Sequence, residues 1–235
     1  MTMRALMSIL CFLAAVPVLW GQQEVVRDTI DEKYREDQFY VGITYNMISD
    51  VPDNVNLKGV TGGLQFGYLR DMPINEQRNW AVAVGLGMSL DQYGQNLLIT
   101  EDQDNNTIFR VINDDLIDLD ANRFSTYTLE VPIELRWRTS APNVYQFWRV
   151  YAGMRVGYAY WYQSKFKGGG TEVKQSDIDE FDPWRFTANI SAGYGPFNVY
   201  FSYAINPFFT DARIEQTQEE FGFKPLRLGI IFYIL

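Results

Sequence analysis

Apolar and polar residues alternate with a period of two in stretch after stretch of this chain, the mark of strands with one face in an apolar medium. The clearest stretch runs from Trp80 to Asp91. Trp80, Val82, Val84, Leu86, Met88 and Leu90 share one face, and Ala81, Ala83, Gly85, Gly87, Ser89 and Asp91 share the other. Phe39–Met47, Val60–Tyr68, Tyr127–Arg138, Val150–Tyr162, Phe186–Tyr194 and Val199–Ile205 repeat the contrast, while Leu226–Leu235 is apolar on both faces. Within Val150–Tyr162 the alternation sets Tyr158, Tyr160 and Tyr162 on the apolar face and Arg155, Gly157 and Trp161 on the other. A soluble sandwich buries its apolar face. A membrane barrel turns that face to lipid and keeps small or polar groups in its lumen.

Eight stretches make an even number, as bacterial barrels require, and closure follows because an open sheet would expose backbone polar groups to lipid. The links also alternate. Ile48–Gly59, Gln92–Asn122, Gln163–Pro183 and Phe209–Lys224 are medium to long and polar, whereas Asp71–Asn79, Thr139–Gln146 and Gly195–Pro196 are short. The expectation is an all-β, eight-stranded antiparallel transmembrane β-barrel over residues 38–235, with long loops outside and short turns in the periplasm. Trp80, Trp137 and Trp148 then fall at the periplasmic interface, where amphipathic rings are favoured, and Trp161 and Trp184 near the opposite rim.

The first residues place the barrel. Arg4, an apolar run from Ala5 to Trp20 and the small Gly21 read as a secretory signal peptide over residues 1–21. Residues 22–37 are polar and read as a periplasmic N-terminal extension. Cys11 lies inside the signal, so the remaining 214 residues hold no cysteine and no disulfide. Loss of Arg4 leaves 19 basic against 29 acidic residues, a net charge of −10. That balance argues against nucleic acid, whose phosphates need basic patches. The expected location is the outer membrane of a Gram-negative bacterium, with membrane lipid as the first partner.

Composition narrows the chemistry. There is no histidine, and the hydrolase and acyltransferase chemistries of small barrels generally use one as general base, so no enzyme activity and no catalytic residue is assigned. Without histidine and mature cysteine the zinc and copper ligand sets are missing, and neither a metal nor another cofactor is expected. Asp102, Asp104 and Asn106 have the spacing of the first calcium-loop ligands, but Thr107 stands where the glycine belongs and Asn113 where the bidentate glutamate belongs. That loop reads as a solvated hairpin. By alternation Glu130, Glu134, Arg136, Arg149, Arg155, Arg185 and Arg227 point into the lumen, where charges must pair. Folding the chain about residues 141–142 sets Glu134 against Arg149 and Glu130 within diagonal reach of Arg155, so two lumen ion pairs are expected. An eight-stranded lumen is just wide enough to be filled by such side chains.

Several segments carry a resemblance. Tyr34-Arg-Glu-Asp-Gln-Phe-Tyr40 leads into the first strand, Arg70-Asp-Met-Pro-Ile-Asn75 forms the first periplasmic turn, and Tyr93-Gly-Gln-Asn-Leu-Leu-Ile99 opens the second outer loop. Val131-Pro-Ile-Glu-Leu-Arg-Trp-Arg138 and Tyr203-Ala-Ile-Asn-Pro-Phe208 complete the set. Together they resemble the PorT family of small outer-membrane barrels, the porin family of gliding bacteria. The resemblance implies an accessory role in type IX secretion and gliding motility, with other secretion-system subunits as partners. The turn at Met72, Pro73 and Ile74 mixes exposed apolar groups with charge, as a periplasmic docking patch would. Two other roles stay open: a surface barrel whose long loops bind a ligand or lipopolysaccharide, and a small-solute channel.

Overall fold

A computed structural model of the chain describes residues 37–52, 54–104, 106–112, 119–139 and 147–234. The signal peptide expected over 1–21, and all of 22–37 but its last residue, lie outside the described residues. Eleven strands follow in order: β1 (Gln38–Ser49), β2 (Gly62–Pro73), β3 (Trp80–Gly94), β4 (Leu97–Glu101), β5 (Thr107–Val111) and β6 (Leu119–Arg138). Then come β7 (Trp148–Gly168), β8 (Thr171–Gln175), β9 (Trp184–Tyr194), β10 (Phe197–Ala204) and β11 (Lys224–Ile234).

Eight of them, β1, β2, β3, β6, β7, β9, β10 and β11, pair in that order around a ring. Every pairing is antiparallel, and β1 closes on β11 through eleven residue pairs from Phe39↔Ile234 to Ser49↔Lys224. The ring is the expected closed eight-stranded barrel. The other three strands were not foreseen. β4 and β5 form a separate hairpin inside the 92–122 link, and β8 folds back along the upper end of β7.

The alternation works as read over the membrane zone. Phe39, Val41, Ile43 and Tyr45 of β1 are exposed while Tyr40, Thr44 and Asn46 are buried. The apolar face of β6 runs from Trp137 to Tyr127, ten residue steps. At about 3.3 Å per residue and a tilt of about 40° that spans about 25 Å, the height of the lipid-facing band of such barrels. Trp80 pairs directly with Trp137, and the rings of Trp148 and Tyr194 pack 5.5 Å apart, all at the short-turn end. Phe39 with Tyr68 and Phe197 with Phe232 continue this ring of aromatics.

β6 and β7 continue well past Tyr127. There β7 carries a bulge: Tyr127 pairs with Trp161 and Thr128 with Ala159, which leaves Tyr160 as the extra residue. One unpaired residue reverses the phase of the strand. Trp161 therefore faces outward and Tyr162 packs against the buried core, the opposite of the simple alternation.

Candidate functional site

Two bodies fill the inside of the ring. The first is a ladder of ions within the membrane zone. Lowest in the ladder, Asp71 accepts from Arg136 at 3.3 Å and from Arg138 at 2.8 Å. Arg136 also meets Glu134 at 3.2 Å and stacks over the Tyr151 ring at 4.6 Å. In the middle, Arg155 donates to Glu130 at 3.0 Å and to Gln65 at 2.7 Å, and approaches Glu134 at 3.9 Å. Above it, Arg227 bridges Glu130 at 3.4 Å and Asp91 at 2.9 Å, and Asn46 donates to the other oxygen of Asp91. The four carboxylates of this ladder are matched by four guanidiniums, and none of these side chains is more than 6% exposed. Burying an ion costs several kcal/mol, so the balance is what makes such an interior tolerable.

The sequence-predicted residues fall into place unevenly. Glu130 and Arg155 meet, as expected. Glu134 and Arg149 do not pair with each other in the ladder. The register of β6 on β7 is four residues off the one that a fold about 141–142 demands, so Glu134 lies opposite Gly153 and Arg149 opposite Arg138. Arg149 instead donates to the Gly195 carbonyl and lies over the Phe147 ring at 4.2 Å. Arg155 survives the shift because it is diagonal to Glu130 in either register. Asp71 was missed altogether. The short link was expected to begin there, but β2 continues through it, and Asp71, Met72 and Pro73 pair with Ala83, Val82 and Ala81. Its inward phase with Gln65, Gly67 and Leu69 was the available signal.

The turn is thus shorter than expected. Pro73 ends the ladder, Met72 faces outward among the wall residues, and only Ile74 of the three projects from the turn, 61% exposed. The turn itself is tightly built. Ile74 N donates to the Trp80 carbonyl at 2.9 Å, and Asn75 Oδ1 accepts from Trp80 N at 3.1 Å.

The second body is an apolar cap beyond the membrane zone, made by links expected to be solvated. Tyr93, Leu97, Ile99 and Phe109 come from the second outer link and its hairpin, and Phe124 from β6. Phe181, Phe208, Phe209, Phe221 and Phe223 arrive from the last two. Their rings meet edge-on, as at Phe109–Phe221 (5.1 Å) and Tyr93–Phe208 (5.3 Å). Arg185 sits at the base of the cap. It donates to the carbonyls of Asp182 and Pro207, and its guanidinium lies 4.4 Å from the Phe208 ring. The acidic tip keeps its expected character: Asp102 accepts from the backbone of Asp104 and Asn106, which closes the β4–β5 turn, and hydrogen bonds from Asn106 hold its carboxyl below the usual range.

A match to a known family agrees with this architecture. A family model described as an outer membrane protein beta-barrel domain matches residues 20–210. A comparison with curated proteins finds no match. Among solved structures, the crystal structure of Ail, the attachment invasion locus protein of Yersinia pestis, is similar in fold, with 13% identity over 84% of this chain and 97% of that chain and a TM-score of 0.36. The backbone structure of Ail in a phospholipid bilayer nanodisc matches with 15% identity over 85% of this chain and 100% of that one, at a TM-score of 0.33. Ail in complex with the heparin analogue sucrose octasulfate gives 14%, 85%, 99% and 0.33.

Proposed function

This chain belongs to the outer membrane protein beta-barrel domain family and spans the outer membrane of a Gram-negative bacterium, and on that premise we propose that it is a closed, non-enzymatic barrel acting as an accessory component of type IX secretion. The observation that carries the reading is the filled interior. An ion ladder occupies the membrane zone and a phenylalanine cap stands above it, so buried charged and aromatic side chains fill the inside of the ring. An interior packed in this way suits a barrel that works through what it holds in place. The resemblance of Arg70–Asn75, Tyr93–Ile99 and the other segments to the PorT family names the assembly. Ile74, on its hydrogen-bonded turn, is the apolar group offered to a periplasmic subunit.

Deletion of the gene, followed by quantitative proteomics of medium and periplasm, tests the reading. Proteins with the C-terminal sorting signal should leave the medium and collect in the periplasm. An unchanged secretome would reduce the resemblance to one of fold. Ile74→Ser should weaken secretion without lowering barrel abundance, and is a cleaner probe than Met72→Ser, because Met72 is part of the wall.

The cap favours one second reading, a rigid outer platform that binds a ligand. Removing 92–122 cannot test it, since Leu97, Ile99 and Phe109 are cap core. Replacing the exposed tip at 102–104 can, because among the described residues Asp102 hydrogen-bonds only within its own turn.

A further inference from the structure

Just beyond the aromatic edge of the apolar band, the outward wall carries a row of like charges. Arg123 of β6 lies directly opposite Lys165 of β7, and Lys165 directly opposite Lys174 of β8. Like charges facing each other across a ladder are destabilising, and this protein as a whole carries a net charge of −9. One carboxylate serves the row. Glu172 sits 3.1 Å from Lys165 and 2.8 Å from Lys174, and its hydrogen bonds to those two lysines bring its carboxyl down to about 2. Arg123 has no carboxylate partner among the described residues.

The row borders a groove of about 620 Å³ that runs from hydrocarbon to water. Leu64 and Leu90 line its membrane end. Tyr127 and Trp161, with ring centroids 4.3 Å apart, lie at the interface, and Arg123 and Lys165 close the outer end. A second hollow of about 420 Å³ adjoins it, shares Arg123, Val60 and Gln92, and adds Lys58. The opposite wall is low because Gly62 has no side chain. From Tyr127 to Arg123 the strand rises about 10 Å along the barrel axis, which sets the cations at headgroup level.

We propose that this groove binds a phosphorylated lipid of the outer leaflet. Its acyl chain lies over Leu64 and Leu90, and its phosphate bridges Arg123 and Lys165, turning their repulsion into shared attraction. A guanidinium presents parallel N–H donors to phosphate, and an ammonium beside it adds a point charge. The β-bulge at Tyr160 is what makes the site. Without the phase change Lys165 would point inward and the row would not exist.

Binding to the purified full barrel in detergent is read by native mass spectrometry and by Trp161 fluorescence. The probes are diphosphorylated lipid A, the same lipid with both phosphates removed, and inorganic phosphate. The diphosphorylated lipid should be retained and the dephosphorylated lipid bound at least ten-fold more weakly. Arg123→Gln with Lys165→Gln should weaken retention at least ten-fold, and Glu172→Gln, which frees both lysines, should strengthen it several-fold. These are surface changes, and the heat-dependent gel shift of a folded barrel checks each variant. Equal binding of both lipids, or no change in either variant, overturns the proposal. Inorganic phosphate displacing the lipid at comparable concentration assigns the row to a soluble anion and also overturns it.

Discussion

At Glu130 the ring encloses ions and turns Leu129 and Val131 to lipid, whereas a few residue pairs higher, at Phe124, it encloses phenylalanines and turns Ser125 and Arg123 toward water. One strand carries both levels without a break. The lower level follows the rule of a membrane barrel, apolar outside and polar within. The upper level follows the rule of a soluble protein. The medium outside decides which residues belong inside, and Tyr127 marks where lipid gives way to headgroups and water. β6 changes sides by changing composition at constant phase. β7 does it by changing phase at the Tyr160 bulge, so that Tyr158 faces lipid and Tyr162 faces the cap.

Replacing Tyr162 and Phe166 with alanine breaks the comparison most severely. It takes from the cap the ring of Tyr162, which the bulge turns inward and which stacks on Phe181 at 4.0 Å, and the buried ring of Phe166. Burial of two such side chains is worth about 1.5–3 kcal/mol each, so about 3–6 kcal/mol of cap stability should go. Limited proteolysis should cut the outer links while the barrel keeps its gel shift. Resistance of those links equal to wild type would show that these two rings do not hold the cap.

Arg155→Met attacks the lower level. It leaves Glu130 with Arg227 alone and takes the cation from beside Glu134, a loss of about 3–5 kcal/mol in urea unfolding from lipid vesicles. Adding Glu130→Met should recover much of it, because replacing both ions of a buried pair is far less costly than stranding one. A double variant no better than the single one would mean that Glu130 contributes by packing.

The smallest effect sharpens the outer level. Arg110 and Glu215 link β5 to the last outer loop at 2.7 Å, and the hydrogen bond and charge of Arg110 hold the Glu215 carboxyl below its ordinary range. A lowered carboxyl contributes stability above its unfolded value and loses it as pH falls through the folded one. Protection of the β5 strand from proteolysis should therefore decline only on acidification below the ordinary carboxylate range. Glu215→Gln should remove that dependence.

What the sequence made legible follows the same division. In the membrane zone lipid imposes one rule on every strand, and seven of the eight could be read from alternation, including the inward phase of Glu130, Arg136 and Arg155, while the last, apolar on both faces, showed its place but not its phase. The ends could not. β2 runs to Pro73 because proline at a ladder's last position needs no partner, so a residue that reads as a turn former closes a strand. Above the membrane the apolar residues point inward, and a reader expecting lipid outside takes Leu97, Ile99, Phe109 and Phe221 for loop residues. The short alternations Leu97–Thr100 and Thr107–Val111 were the signal for the hairpin. The Glu134–Arg149 pairing failed because register across a turn depends on turn length, which composition does not settle. The row Arg123, Lys165 and Lys174 was invisible for a related reason, since three residues from three strands become neighbours only once the bulge and β8 are in place.

The seam between β1 and β11 has a consequence for how the molecule is made. Among the described residues Phe39 and Ile234 are the strand partners farthest apart in sequence, and their pairing closes the ring. Until they meet, the half-built sheet has two free margins, each a row of unsatisfied amides and carbonyls able to recruit a stranger. Biogenesis of this protein is therefore a race between its own last hydrogen bonds and those of its neighbours, and a cell that makes it must shield both margins until the ends join.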